Sequence, residues 1–141
     1  MIIVDTNVIS ELTRSSPERL VVVWADEQPS ETLYTTAITE AEMLYGVSLM
    51  GAGRRRNDLQ RAVLFVFAVL LAGRVLPFDS AAAAEYGTWA ANWRRNGKKI
   101  GMADLQIAAI ARARGAEAIA TRNMKDFADC GVPLIDPWQT S

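Results

Sequence analysis

The apolar positions of this 141-residue chain fall into two kinds of run. Short unbroken runs contain β-branched residues. Longer ones keep a three-to-four-residue spacing. Met1-Ile2-Ile3-Val4 opens the chain with no polar alternation, the pattern of a strand buried on both faces. Thr32–Thr35, Val75–Phe78, Ala118–Thr121 and Val132–Ile135 repeat it and predict four more strands. The spacing predicts helices between them. A short one follows Thr6-Asn7. Another runs from Glu18 to Asp26, with Pro17 at its start and Leu20, Val23 and Trp24 inward. A third begins near Thr39 and is broken by Gly51 and Gly53. The remaining helices cover Arg54 to about Leu71, Ser80 to Gly97 behind an Asp79 cap, and Met102 to Arg114 before a Gly115 terminus. Strands that alternate with helices imply βαβ units and a mainly parallel sheet. The expectation is one α/β domain over residues 1–141, with extra helices between the second and third strands.

Composition narrows the chemistry. There is no histidine, which removes Ser-His-Asp and Cys-His sites and most catalytic zinc sites. The single cysteine, Cys130, excludes an intrachain disulfide and fits a reducing, cytoplasmic setting. A net charge of -1 means that any nucleic-acid surface must be local. The apolar run Ala62–Ala72 is 11 residues, short of the roughly 20 that span a bilayer, and reads as a buried helix or an association surface. Carboxylates, hydroxyls, amides and Lys/Arg are left to act.

The carboxylates have a common placement. Asp5 ends the first strand, and Asp104 opens an otherwise apolar helix. Asp126 follows the strand at 118–121 within Arg122-Asn123-x-x-Asp126, where it could cap a short helix. Glu42 opens the helix after the second strand, and Thr39-x-x-Glu42 is also a capping box. In a parallel sheet these places share the rim at the strands' carboxyl ends, where ligands bind. Four acids on one rim repel one another unless a cation neutralises them, and oxygen donors select Mg²⁺ or Mn²⁺. Arg94-Arg95 and Lys98-Lys99 near Asp104, with Arg122 and Lys125 beside Asn123, are candidate phosphate contacts. Trp89 and Trp93 read as core or dimer surface.

The segments Ile3–Glu11, Ala37–Gly46, Gly73–Asp79, Ile100–Asp104 and Ala120–Phe127 resemble, in order, the PIN-domain family, specifically its VapC-like (FitB-type) ribonuclease toxins. The resemblance implies a three-layer α/β/α sandwich, an acidic Mg²⁺ or Mn²⁺ site that hydrolyses RNA, and a homodimer. It also implies a cognate antitoxin, with DNA reached only through it and no membrane. The family's acidic positions fall on Asp5, Glu42 and Asp104, and its supporting polar positions on Thr6, Asn7 and Thr121. The departure is at the fourth acid. This chain has Asn123 where some relatives carry aspartate, so that role passes to Asp126, with Asn123 able to share it. Three other readings are a PIN-like module that binds RNA or an antitoxin without cutting, a receiver-type phosphoacceptor domain, against which no lysine sits plainly after a later strand, and a phosphatase of the haloacid dehalogenase kind. Asn7, where the latter has a second aspartate, argues against the phosphatase.

Overall fold

The computed structural model describes residues 1–139. Five parallel strands form one sheet: β1 (Ile2–Val4), β2 (Leu33–Thr36), β3 (Val75–Leu76), β4 (Ala118–Ala120) and β5 (Leu134–Ile135), in the order β3-β2-β1-β4-β5. β1 is central, with Ile3 opposite Tyr34 on one side and Ile119 on the other. An unbroken apolar strand needs cover on both faces, and side-chain alternation assigns the two covers. Val4, Leu33 and Ala120 face one core, which is completed by α1 (Thr6–Leu12), α2 (Arg19–Glu27), α3 (Ala37–Leu49) and α4 (Arg54–Phe65). Ile3, Leu76 and Ile119 face the other, under α5 (Ser80–Arg95), α6 (Met102–Ala113) and α7 (Met124–Phe127). The result is the expected three-layer sandwich, with α3 and α4 inserted between β2 and β3.

Several local expectations shift. Leu20 and Val23 of α2 are exposed, and Val21 and Ala25 are buried instead. The run Leu20–Trp24 is apolar all round, so spacing alone cannot choose its inner face. Pro17 lies outside α2, which starts at Arg19. α3 starts at Ala37, two residues before the expected Thr39. Thr36 is its cap, and its Oγ1 accepts from the Thr39 N–H at 3.1 Å. The Thr39–Glu42 capping box therefore does not form, which frees Glu42. Asp126 lies inside α7 rather than capping it. Asp79 does cap α5, accepting from the Ala82 N–H at 3.0 Å. Beyond α4 the chain widens into a π-helical turn, Val66–Leu70. The apolar run there divides: Val63, Val66, Phe67 and Leu71 are buried, and Leu64, Phe65 and Val69 are exposed.

Candidate metal centre

The site is built where the chain leaves each strand. Asp5 follows β1, and its N–H still pairs with the Ala120 carbonyl at 3.0 Å. It caps α1, with Oδ1 accepting from the Val8 N–H at 3.1 Å. Oδ2 accepts from the Thr121 hydroxyl at 2.5 Å, one residue past β4. Asp5 is only 2% exposed, and this dominates its acidity. Burial raises its pKa from 3.8 to about 6, against the lowering pull of Thr121 and of the Val8 and Asn7 N–H groups; Asp104 pushes it further up. One carboxylate thus caps α1 through Oδ1 and ties β4 to the rim through Oδ2.

Asp104 lies in the first turn of α6. Its pKa is also raised, first by burial and then by the charges of Asp126 and Glu42. Asn123 connects these acids. Its N–H donates to Thr121 Oγ1 at 2.8 Å. Its amide nitrogen donates to Asp104 Oδ2 at 3.1 Å and to Asp126 Oδ2 at 2.8 Å. The NH₂ group, not the carbonyl, faces the carboxylates. Asn123 is therefore a neutral bridge that donates to both Asp104 and Asp126 and offsets part of their repulsion. On the opposite side, hydroxyls pass a hydrogen bond along a line. Thr36 donates to Thr39 at 3.4 Å. Thr39 and Thr6 are 3.1 Å apart, and Thr6 donates to Glu42 Oε1 at 2.6 Å. This orients the exposed Glu42 toward the rim.

The structure therefore brings Asp5, Thr6, Glu42, Asp104, Thr121, Asn123 and Asp126 to one rim. Among the described residues none of the four acids is paired with a lysine or arginine. The donor chemistry fits a hard divalent cation: oxygen ligands only, two of them held above the usual carboxylate range by burial and mutual repulsion. Asp5 and Asp104 are the expected ligands, directly or through water, with Glu42 and Asp126 completing the charge. Among the described residues no three acidic side chains gather closely enough to hold an ion alone. Water would therefore have to complete the coordination of any ion held there.

Asn7 lies beside this centre and lines a cavity of about 430 Å³ with Ser10, Glu11, Arg14, Arg122, Asn123 and Trp138. Glu11, missing from the expected set, is buried; it accepts from the Glu18 N–H at 2.9 Å and pairs with Arg14 at 3.2 Å. Its signal was present in the sequence. Asn7, Ser10, Glu11 and Arg14 keep i, i+3, i+4, i+7 spacing, a polar stripe on one helix face. Arg122 stacks over the Trp138 ring at 5.1 Å. The expected basic cluster divides, since Lys98 is paired with Asp129 at 2.9 Å.

Residues 2–131 match the family model of the PIN domain. The chain is 46% identical to the VapC ribonuclease Y4jK of Sinorhizobium fredii, with 99% of each chain covered. It is 40% identical to the toxin FitB of Neisseria gonorrhoeae, over 98% of this chain and 99% of that one. The crystal structure of FitAcB from the same organism superposes with a TM-score of 0.89 at 39% identity, over 99% of this chain and 100% of that chain. With five parallel strands, an acidic rim and a match spanning nearly its whole length, the chain belongs to the PIN-domain family.

Proposed function

We propose that the chain is a Mg²⁺- or Mn²⁺-dependent endoribonuclease, the toxin of a toxin–antitoxin pair that acts in the cytoplasm. One observation carries the chemistry: Asp5 and Asp104 share a rim, both with raised pKa values and neither with a cationic partner. Relatives named VapC ribonuclease and toxin FitB, aligned over almost the full chain, support the substrate class and the toxin role. Solved complexes such as FitAB bound to a DNA fragment support a protein partner through which DNA is reached. Exposed Leu44, Tyr45 and Leu49 on α3, with Leu64, Phe65 and Val69 beyond them, offer apolar surface for that partner or for a second copy.

Asp5 and Asp104 would hold the ion, directly or through water, with Glu42 and Asp126 adding charge. The ion supplies two things: a lowered pKa for an attacking water and neutralisation of charge that develops on the scissile phosphate. The chain's own groups do the rest. Thr121 fixes Asp5 Oδ2, so that its other oxygen is shared between the α1 cap and the rim. Asn123 holds Asp104 and Asp126 at a set separation. Glu42, anchored by Thr6 through one oxygen, leaves the other free to take a proton from the attacking water. The phosphodiester would be cut in line, and the departing 3′-oxygen would take its proton from solvent water. No covalent enzyme intermediate is needed, consistent with the lack of histidine.

The test is cleavage of single-stranded RNA. Activity requires Mg²⁺ or Mn²⁺, and Asp104→Asn abolishes it while the circular dichroism spectrum is retained. Full activity in excess EDTA, or in Asp104→Asn, would sink the proposal. Asn123 in place of a fourth acid favours one other reading, a module that binds RNA or antitoxin without cutting. Binding with no fragments released in either metal would establish that instead.

A further inference from the structure

β1, β4 and β5 lie side by side, so the residues that follow them meet at one edge of the sheet. The cavity of about 430 Å³ beside the acidic rim is lined there from three directions: by Glu11 and Arg14 from α1 and just past it, by Arg122 and Asn123 after β4, and by Trp138 beyond β5. It abuts the candidate metal centre, because Asn123 both lines it and donates to Asp104 and Asp126. Two cations and one acid stand in its wall. The acid is already satisfied: Glu11 is buried, accepts from the Glu18 N–H at 2.9 Å and pairs with Arg14 at 3.2 Å. That arrangement explains Glu11 as an anchor for the turn at 13–18. It does not explain Arg122. This residue is exposed, makes no ion pair among the described residues, and lies 5.1 Å over the Trp138 ring. Trp138 in turn packs against the core that contains Val4 and Ala120, so the ring is a fixed platform. A guanidinium can stack on an aromatic face and keep its fork of donors for an oxyanion.

We propose that this cavity holds the phosphate of the RNA nucleotide next to the cleaved bond, with Arg122 and Arg14 as its contacts and Trp138 positioning Arg122. This rests on the endoribonuclease reading and deepens it, by giving the strand a second fixed phosphate beside the one that is cut. Arg14 balances Glu11, so the wall keeps one positive charge, that of Arg122, for a ligand. A strand cut at the rim has to continue past it, and its next phosphate is the neighbouring oxyanion. A neutral or cationic ligand would leave the charge unanswered. The carboxylates of an acidic peptide share the oxyanion chemistry but are not tethered to a phosphate at the rim. One cavity takes one flank of the cut and not both. Phosphate contacts set register and carry no sequence information, so this site acts on affinity and on the placement of the strand, not on base preference.

Binding of a fluorescently labelled single-stranded RNA hexamer to the full chain is followed by anisotropy in EDTA over a range of salt concentrations. Arg122→Gln, an exposed substitution that spares the fold, is expected to weaken binding about tenfold, the loss that goes with one charge-assisted hydrogen bond. It also lowers the salt slope by about 0.7. Arg122→Lys keeps the charge and so the slope, and loses only part of the affinity with the planar fork. Trp138→Leu weakens binding, and Trp138→Phe, which keeps a ring under Arg122, restores it. In Mg²⁺, a further phosphate on one end of a dinucleoside monophosphate lowers its KM about tenfold. The same phosphate on the other end does not, and Arg122→Gln loses the gain. An Arg122→Gln chain with the wild-type slope would overturn the phosphate site, as would a gain at both ends or at neither. Wild-type binding by Trp138→Leu would overturn the role of the ring. A hexaglutamate peptide that binds the wild type and not Arg122→Gln, while RNA binds both alike, would assign the cavity to an acidic protein partner instead. A smaller slope for Arg122→Gln with no cleavage in either metal retains the phosphate site and removes the endoribonuclease reading. Cleavage with an unchanged slope does the reverse.

Discussion

Replacing the central carboxylate should make the metal-free protein more stable. Burial is the largest influence on Asp5 and lifts its pKa from 3.8 to about 6. That rise of roughly two units corresponds to about 3 kcal/mol held against the folded state once the group is ionised. The direction follows from proton binding. Between 3.8 and about 6 the folded chain holds a proton that the unfolded chain has released. Stability from this group therefore falls as pH rises through that window, and the penalty is complete above it. Asp5→Asn removes the charge and keeps the shape. It retains Oδ1 for the Val8 N–H but puts an NH₂ against the Thr121 hydroxyl, at a cost of about 1 kcal/mol. The net gain is about 2 kcal/mol at pH 8, or roughly 4–8 °C in Tm for a chain of this size. Thermal unfolding followed by circular dichroism in EDTA measures it at pH 8 and at pH 4, where the wild-type carboxyl is protonated and the gap nearly closes. Mg²⁺ at pH 8 restores the order, because an ion at a hundred times its Kd stabilises only a chain that binds it, by about 2.7 kcal/mol. A variant no more stable than wild type at pH 8 in EDTA, or the same gap at pH 4, refutes the account of Asp5 as a strained, metal-awaiting anion.

Three other substitutions probe different parts of the molecule. Asn123→Asp exchanges two donated hydrogen bonds for a third charge beside Asp104 and Asp126; in EDTA at pH 8 it lowers Tm, and Mg²⁺ recovers more of the loss than it adds to wild type. The same change raises the pKa of Asp104 further, so the acid limb of the RNA-cleavage profile moves to higher pH. Gly131→Ala forces a side chain at φ 83° into Arg112, whose guanidinium is held by Glu85 at 2.8 Å, the Cys130 carbonyl at 2.9 Å and the Trp89 ring at 4.0 Å. Urea denaturation should show a loss of about 2–3 kcal/mol. Thr36→Ala deletes the α3 cap and lowers the urea midpoint by the equivalent of about 1 kcal/mol.

Much of the architecture was legible because buried parallel strands write themselves as unbroken apolar runs, and Ile2–Val4 and Ala118–Ala120 are such runs. The acids were legible because each sits where a strand ends or a helix begins. Competition between equal local signals obscured other features. Thr36 and Thr39 are both good caps three residues apart, and only the position of β2 decides for Thr36. Leu20–Trp24 offers apolar residues to every direction, so the core chose Val21 and Ala25. Three-dimensional relations were not legible at all. No spacing rule places the Asn123 amide between two carboxylates, brings Trp138 over Arg122, or leaves the Trp93 indole unpaired.

The central position of β1 also governs when the site comes into being. Ile3 pairs with Ile119, and Asp5 takes its shortest hydrogen bond from Thr121, partners separated by 116 residues in each case. Loops of that length close late, after local helices have formed. On the ribosome, a chain at residue 100 already carries Asp5, Thr6 and Glu42. It lacks β4, Asp104 and the Asn123 bridge, and so has half a rim on an unfinished sheet. The full acidic rim thus cannot precede near-complete synthesis, and any partner that binds over it has that interval in which to arrive.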